Sequence, residues 1–308
     1  MDMDTTVKAQ FPDEQSADGR FVRQEDRFRT WVCADGHTGF PPVAGRYQLF
    51  VSLACPWAHR TIIVRKIKRL EAAIPMTIVD PIRDERGWRY GTHFLSELYQ
   101  ASDPNYRGRV TVPVLWDMQT KRIVSNSDDD IMRMFETEFN AIGDPQPDLY
   151  PLELRTEIDA LNEEIFRNLN DGVYQAGFAT SQAAYEQAAY RVFAMLDFLE
   201  ERLATRRFLF GKHPVETDWR TFVTLIRFDP VYYGHFKCNL RRIVDYPNLY
   251  GYLRDLYQYP GIAQTVDFDH IKRHYYYTHD DINPTRIVPV GPLQYLEMPA
   301  LREHLGDL

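Results

Sequence analysis

One of the three cysteines, Cys55, comes at the end of an apolar run and is followed by Pro56. Proline lacks an N–H and is well tolerated in the first turn of a helix, so the pair predicts a strand, a turn at Cys55 and a helix. Backbone amides and the helix dipole at such a position stabilise a thiolate and lower the pKa of the thiol. The pattern predicts a nucleophilic Cys55, whereas an isolated cysteine without this setting is usually an inert core residue.

No second cysteine lies at the Cys-x-x-Cys distance from Cys55, and His59 stands four residues further on. A lone thiolate cannot close an intramolecular disulfide, so it would form a mixed disulfide that an external thiol resolves. The other two cysteines, Cys33 and Cys238, are widely separated, and three such residues fit a reducing, cytosolic location better than a disulfide framework. Cys238 stands beside Lys237, but the pattern favours a buried structural thiol over an activated one.

The elements around Cys55 predict a thioredoxin-like first half. Apolar runs and helical spacing give the order β-α-β-α-β-β-α. The third strand contains Val112-Pro113, and a proline there must lie at an edge, at a bulge or after a cis peptide bond. The predicted strands are 47–53, 75–79, 110–116 and 122–124, and the predicted helices are 58–70, 94–100 and 128–138.

The second half of the chain has helical periodicity throughout, at 152–169, 183–204, 219–228 and 249–258. A segment rich in proline and glycine precedes it and predicts a linker. The fold class is therefore α/β plus all-α. The predicted organisation is an N-terminal extension at 1–45, a thiol-binding domain at 46–139, a linker at 140–151, a helical domain at 152–280 and an extended, proline-punctuated tail at 281–308.

Composition and charge exclude several classes of function. Hydrophobic residues make up 44% and charged residues 26%, as in globular rather than disordered chains. The formal net charge of −8 argues against a nucleic-acid partner, which would require an excess of lysine and arginine on one face. No run approaches eighteen apolar residues, so no membrane partner is expected, and the acidic start is not a signal peptide. Nucleotide-binding and serine-hydrolase motifs are also missing.

Four longer stretches carry a resemblance to a known family. They are Cys-Pro-Trp-Ala-His-Arg at 55–60, Gly-Arg-Val-Thr-Val-Pro-Val-Leu-Trp-Asp at 108–117, Gly-His-Phe-Lys-Cys-Asn at 234–239 and Ile-Asn-Pro-Thr-Arg-Ile-Val-Pro at 282–289. From about Gly39 onward the chain resembles the glutathionyl-hydroquinone reductases, the Xi class of glutathione transferases. The resemblance implies a thioredoxin-like domain followed by an all-helical glutathione-transferase domain, a homodimer, and no tightly bound cofactor or metal.

The resemblance also implies a reaction, the reductive removal of glutathione from a glutathionyl-hydroquinone. The Cys55 thiolate attacks the thioether sulfur, the hydroquinone leaves protonated at carbon, and a second thiol releases the mixed disulfide. Tyrosine hydroxyls that bind the quinol oxygens would stabilise a keto-like tautomer. The candidates are Tyr174, Tyr275 and Tyr276, and the alternative is that each merely packs within the helical domain.

For the thiol site, the resemblance points to Trp88 on the thiol's backbone, Arg109 near its carboxylate and the Val112 main chain against its cysteinyl unit. Where the family commonly has Ser-Asn-Glu-Ser, this chain reads Ser125-Asn126-Ser127-Asp128. Asp128 would repel a carboxylate. It either acts only as a helix N-cap or selects a sugar-bearing co-substrate such as mycothiol in place of glutathione. Ser127 and Asp128 are therefore candidate thiol-binding residues.

Weaker signals and rival functions complete the sequence evidence. His270, His274 and His279 have a spacing that suggests zinc, but without a nearby cysteine a surface helix is favoured. An omega-like thiol transferase acting on mixed disulfides would use the same Cys55. A non-catalytic thiol-binding protein would leave the pKa of Cys55 near 8.5. The sequence favours the conjugate reductase and leaves the quinone and the physiological thiol open.

Overall fold

The computed structural model describes residues 11–292 and 295–306 of this chain. The strands are β1 (Tyr47–Val51), β2 (Met76–Ile78), β3 (Arg89–Tyr90), β4 (His93–Phe94), β5 (Val114–Asp117) and β6 (Arg122–Ser125). A four-stranded sheet has the order β2-β1-β5-β6, with β1 parallel to β2 and antiparallel to β5, and β6 antiparallel to β5. The largely apolar β1 is one of its two inner strands. A short hairpin of β3 and β4 is separate from this sheet.

The helices that accompany the sheet are α1 (Pro56–Ile67), α2 (Leu95–Ser102) and α3 (Asp128–Thr137). Together with the mixed sheet they confirm the predicted order. The third strand is shorter than predicted and begins after Pro113, whose peptide bond to Val112 is cis. The residues before it bond to side chains instead of a neighbouring strand, since the Tyr99 hydroxyl donates to the Thr111 carbonyl at 2.9 Å.

The chain divides into two compact units, each assembled from separate stretches. The thioredoxin-like unit comprises Glu25–Arg155 and Leu256–His274. The helical unit comprises Thr156–Asp255, residues 11–24 and the described residues from Tyr275 onward. The α/β plus all-α fold class is confirmed, and the predicted domain bounds stay predictions.

The second half is helical, as its periodicity predicts. The helices are α4 (Arg155–Ile165), α5 (Gly172–Gly177), α6 (Gln182–Leu203), α7 (Glu216–Arg227), α8 (Pro247–Tyr257) and α9 (Phe268–Thr278). Between α4 and α5, and again after α7, the helix widens into a π-helical turn, at Phe166–Asn170 and Phe228–Tyr232. The sequence analysis did not predict α5, and it expected α9 only as a surface helix turn at the histidine run.

Asp218 is the polar centre of the helical unit. Its fully buried carboxylate accepts hydrogen bonds from the Val215 N–H at 2.8 Å, the Leu209 N–H at 2.9 Å and the Tyr252 hydroxyl at 2.7 Å. Burial raises the pKa of Asp218 to about 6. The Asp218 carboxylate therefore caps the first turn of α7 and links α7 to α8 by a hydrogen bond. Val215, the N-cap residue, has no side-chain acceptor, so the capping box is incomplete. Over the described residues, the helices lack the length and apolar character needed to cross a membrane.

Candidate functional site

Cys55 occupies the predicted place between β1 and α1. It is the N-cap residue of α1, with extended backbone (φ −76°, ψ 122°), and Pro56 is the first helical residue. The Cys55 N–H donates to the Ser52 carbonyl at 3.1 Å, which closes the turn. The thiol is partly exposed, and its Sγ lies 3.6 Å from the Val112 carbonyl oxygen, to which it donates a hydrogen bond. The structure thus brings together two of the predicted site residues, Cys55 and Val112.

The segment that contains Val112 is held by side chains from other parts of the unit. The Asn126 amide donates to Thr111 Oγ1 at 3.2 Å, and its Oδ1 accepts the Phe28 N–H at 2.9 Å. Asn126 therefore links the loop before β5 with the residues that precede β1. Because both ends of its side chain are used, Asn126 fixes the position of the backbone opposite Cys55.

Asp128 does not cap α3, contrary to one interpretation of the sequence. The N-cap is Ser127, whose hydroxyl accepts the Asp130 N–H at 3.4 Å, and Asp128 is the first helical residue. The Asp128 carboxylate instead pairs with Arg60, whose Nη1 lies 2.8 Å from Asp128 Oδ2 and 3.4 Å from Asp129 Oδ1. The Arg60 guanidinium is buried and lies over the Trp57 ring at 4.7 Å. Asp128 is consequently half of an ion pair rather than an isolated negative charge.

Trp88 and Arg109, the other predicted thiol-binding residues, belong to the same unit. The Trp88 ring is buried and stacks on His274, with centroids 4.8 Å apart and planes inclined by 24°. His274 Nδ1 is in turn 2.8 Å from the Pro81 carbonyl oxygen, so it donates to that oxygen and has a fixed tautomer. The Arg109 carbonyl accepts the Tyr106 hydroxyl at 2.6 Å. A role for either residue in thiol binding remains a prediction.

The helical unit brings two of the predicted tyrosines into direct contact. The hydroxyl oxygens of Tyr174 and Tyr275 are 2.5 Å apart, and that of Tyr232 is 3.2 Å from Tyr275. All three rings are buried. Burial and the neighbouring hydroxyls raise the pKa of Tyr275 well above 10, so the phenol stays neutral and can donate. We call these three residues the tyrosine cluster; Tyr232 was not predicted.

Arg23, also missed by the sequence analysis, supports the tyrosine cluster from residues 11–24. Its guanidinium lies over the Tyr174 ring at 5.1 Å, and its Nε is 2.8 Å from Asp171 Oδ1. The pairing with Asp171 holds the pKa of Arg23 above its usual range despite burial. A cation over the Tyr174 ring withdraws electron density from it and strengthens its hydroxyl as a donor.

Tyr276 has a different partner, since its hydroxyl donates to the Pro230 carbonyl at 3.1 Å. The three histidines of the 270–279 run are likewise not brought together. His274 contacts Trp88, whereas His279 Nδ1 lies 3.2 Å from His235 Nε2 in the helical unit. The expectation of a surface helix is wrong for His274 and His279, which are both buried.

Two family models match the chain. The glutathione S-transferase N-terminal domain matches residues 54–138, and the glutathione S-transferase C-terminal domain matches residues 182–255. The first range contains Cys55, Val112 and Asp128. Of the tyrosine cluster, only Tyr232 falls within the second range.

Individual relatives extend the match over almost the whole chain. The glutathionyl-hydroquinone reductase YqjG of Escherichia coli is 50% identical over 94% of both chains, and the glutathionyl-hydroquinone reductase PcpF of Sphingobium chlorophenolicum is 46% identical over 92% of this chain and 93% of its own. The glutathione-bound structure of YqjG matches with a TM-score of 0.87 over 90% of this chain and 96% of that one. A Xi-class transferase from Natrialba magadii matches at 46% identity, with a TM-score of 0.88 over 90% and 89% of the two chains. The chain belongs to the Xi class of glutathione transferases, the glutathionyl-hydroquinone reductases.

Membership of the Xi class confirms the predicted fold, a thioredoxin-like domain followed by an all-helical glutathione-transferase domain. It also confirms that the chain is an enzyme of the glutathione transferase superfamily. Within this Xi-class chain, Arg60, Asn126, Arg23 and Tyr232 join the residues predicted from the sequence. Arg60 and Asn126 had a local signal, because Arg60 ends the Cys-Pro-Trp-Ala-His-Arg motif and Asn126 lies in the stretch Ser125-Asn126-Ser127-Asp128.

Proposed function

We propose that this enzyme removes a low-molecular-weight thiol, in the first place glutathione, from thiol conjugates of hydroquinones through a mixed disulfide at Cys55. The observation that carries the proposal is a partly exposed thiol at the N-terminus of α1, 3.6 Å from the Val112 carbonyl. Two Xi-class relatives bear the name of that activity, and one was solved with glutathione bound.

The proposed chemistry balances with a thiol as the only co-substrate. The Cys55 thiolate forms a bond to the conjugate's sulfur, and the bond between that sulfur and the ring carbon breaks. The ring carbon keeps the electron pair and takes up a proton, which gives the free hydroquinone. A second thiol then attacks the mixed disulfide, regenerates the Cys55 thiol and leaves as a disulfide of two small thiols.

The tyrosine cluster is proposed to bind the quinol oxygens. Departure of the ring carbon is easier from a keto-like tautomer, whose carbonyl oxygen requires a hydrogen-bond donor. Tyr275 is the central member, because its hydroxyl bonds those of both Tyr174 and Tyr232. With one neighbour accepting and the other donating, the cluster can shift a proton without forming a buried charge. Tyr276, whose hydroxyl donates to the Pro230 carbonyl, is proposed to line the same quinol site.

The thiol is proposed to bind along Val112, with Trp88, Arg109, Ser127 and Asp128 as further contacts. Repulsion between Asp128 and a carboxylate of glutathione would be reduced by Arg60, whose Nη1 lies 2.8 Å from Asp128 Oδ2. Glutathione is therefore the first candidate. Mycothiol remains a second candidate because α3 opens with three consecutive aspartates, Asp128 to Asp130, which suit hydroxyl donors.

The proposal includes a cytosolic homodimer, as the family resemblance implies. The three cysteines all lie among the described residues and none of them forms a disulfide, which fits a reducing compartment. For a chain of 36.2 kDa, light scattering should give about twice that mass in solution.

An omega-like transferase that reduces mixed disulfides is the alternative, and it would use the same Cys55. The two functions differ in their need for the tyrosine cluster, because a disulfide already has a good leaving group. The test is to assay Cys55→Ser and Tyr275→Phe with glutathionyl-menadiol and with a small mixed disulfide. We expect Cys55→Ser to lose both reactions and Tyr275→Phe to lose only the first. Full conjugate reduction by Cys55→Ser would overturn the proposal.

The co-substrate is tested by turnover of glutathionyl- and mycothiyl-menadiol with the matching free thiol. Glutathione use equal to or better than mycothiol use supports the first candidate. A clear preference for the mycothiyl conjugate would replace glutathione by the sugar thiol and leave the Cys55 chemistry intact. Intact-mass measurement of the adduct on Cys55 identifies the same preference independently of turnover.

A further inference from the structure

Residues 31–40 hold a second cysteine in contact with a histidine and an aspartate. Cys33 Sγ lies 3.8 Å from His37 Nε2, and His37 Nδ1 lies 2.6 Å from Asp35 Oδ1. The thiol sulfur, one ring nitrogen and one carboxylate oxygen all lie within 4.8 Å of one another. A nucleophile, a base and a group that orients the base are thus arranged in sequence.

The tautomer of the neutral His37 ring follows from the partners of its two nitrogens. The hydrogen bond to His37 lowers the pKa of Asp35, so this carboxylate is ionised at neutral pH and can only accept. His37 Nδ1 must therefore carry the hydrogen. This directs the Nε2 lone pair toward Cys33, where it can accept the thiol proton.

The backbone of the loop holds this arrangement in place. The Cys33 N–H donates to the Phe40 carbonyl at 3.1 Å, and the Gly36 N–H donates to the Cys33 carbonyl at 2.8 Å. Gly36 has a positive φ of 70°, which a residue with a Cβ adopts less readily. The His37 N–H also donates to Asp35 Oδ1 at 3.1 Å. The short loop can thus bring residues two and four positions apart into contact.

The base and the carboxylate that orients it are exposed to solvent, whereas the thiol is largely buried beside them. Cys33 is 8% exposed, whereas the side chains of Asp35 and His37 are 73% and 68% exposed. A structural zinc site is not favoured, because structural zinc takes four protein ligands and this cluster supplies three residues.

We propose that Cys33 is a second reactive thiol, separate from Cys55, that His37 activates for reversible modification by low-molecular-weight disulfides. His37 Nε2 accepts the proton of Cys33, whose sulfur attacks one sulfur of the disulfide. The disulfide bond breaks and releases one thiol, and the other half remains on Cys33 as a mixed disulfide. Cys33 is oxidised and the released thiol is the reduced product. This inference does not depend on the proposed function.

The test uses the full chain with Cys55→Ser, so that only Cys33 and Cys238 can react, and glutathione disulfide as the probe. Peptide mapping over time should show an adduct on Cys33. Cys238 should stay unmodified because it is fully buried and burial raises its pKa to about 12. Adding His37→Gln should slow modification of Cys33 on the order of 10-fold to 100-fold. Adding Asp35→Asn should slow it less.

His93→Gln is the matched control, because His93 also pairs with a carboxylate, Glu97 Oε2 at 3.0 Å, on an exposed side chain. It should leave the rate at Cys33 unchanged. Modification of Cys238 in any variant would report unfolding, so the rate at Cys33 is compared after correction for that at Cys238. Equal rates in the His37 and His93 variants, or a Cys33 that does not react, would overturn the proposal.

Discussion

Arg60 and Asp128 form an ion pair at the start of α3, with 2.8 Å between Nη1 and Oδ2 and only 1% of the arginine side chain exposed. The pair joins α1, which follows Cys55, to the helix that opens with the predicted thiol-binding residues. Its consequence is electrostatic. Without Arg60, the negative charges of Asp128 and Asp129 would lose the compensating charge of this guanidinium.

We expect Arg60→Met to weaken binding of an anionic thiol such as glutathione. The added repulsion should raise KM for glutathione about 10-fold and change kcat much less. Steady-state kinetics with varied glutathione measures this split. Arg29→Met is the matched control, because Arg29 pairs with Asp130 of the same turn but is 59% exposed. An equal rise in KM in both variants would contradict a specific role for Arg60.

The tyrosine cluster predicts graded effects of removing single hydroxyls. Tyr275→Phe removes the central hydroxyl and should lower kcat for conjugate reduction on the order of 100-fold, since it eliminates both hydrogen bonds. Tyr232→Phe should cost less, on the order of 3-fold to 10-fold, because the pair of Tyr174 and Tyr275 remains. Tyr277→Phe, at an exposed tyrosine two residues further along α9, is the control. If Tyr232→Phe proves more damaging than Tyr275→Phe, Tyr275 is not the central donor.

Glu136 should make folding stability depend on pH. Burial raises its pKa to about 7 despite Lys68, whose Nζ is 3.4 Å away. A folded-state pKa above the unfolded value contributes stability that is present below about pH 4.5 and is lost as the pH rises through about 7. Glu136→Gln stays neutral, so its stability relative to the parent should increase by about 2 kcal/mol between pH 5 and pH 8.

Urea unfolding at the two pH values measures the effect of Glu136→Gln. Glu97→Gln is the control, because bonds from the Phe94 N–H and His93 lower the pKa of Glu97. A lowered pKa changes folding stability only in more acidic solution. The stability of Glu97→Gln relative to the parent should therefore not change between pH 5 and pH 8. If the stability of Glu136→Gln relative to the parent is also the same at pH 5 and pH 8, Glu136 is ionised over this whole range and the prediction is wrong.

Asp218→Ala should be among the most destabilising single changes in the helical unit. It leaves the Leu209 and Val215 N–H groups and the Tyr252 hydroxyl without their buried acceptor, at a cost of about 3 to 5 kcal/mol. Asp245→Ala is the matched control. Asp245 likewise accepts a backbone N–H three residues earlier, that of Arg242, but on the surface, and its loss should cost about 0.5 to 1 kcal/mol. Thermal unfolding of the two variants compares them directly.

The local parts of the site could be predicted from the sequence. The start of α1 at Pro56 follows from the missing N–H of proline, and the helical second half follows from its periodicity. The segment that forms α9 was expected only as a surface helix turn, because its histidines and tyrosines do not show a clear apolar face. The third strand was predicted too long, because hydrophobic residues before Pro113 were assigned to the sheet.

The remaining site residues could not be found from the sequence because their contacts join distant positions. Arg60 and Asp128 are 68 residues apart, Tyr232 and Tyr275 are 43 apart, and Arg23 and Asp171 are 148 apart. Single-sequence patterns describe neighbours along a strand or helix and carry no information about such pairs. The interpretation of Asp128 as the N-cap of α3 was wrong for a related reason. Its carboxylate pairs with the guanidinium of Arg60, which is distant in sequence, and Ser127 is the N-cap.

Residues 11–24 contain no residue predicted to react. Arg23 from this stretch nevertheless pairs with Asp171 and places its positive charge over the Tyr174 ring. Shortening the enzyme past Arg23 should therefore alter turnover of the quinol conjugate while leaving the sulfur chemistry of Cys55 intact. A preparation trimmed by a protease before Arg23 and one trimmed after it would be expected to behave as two different catalysts.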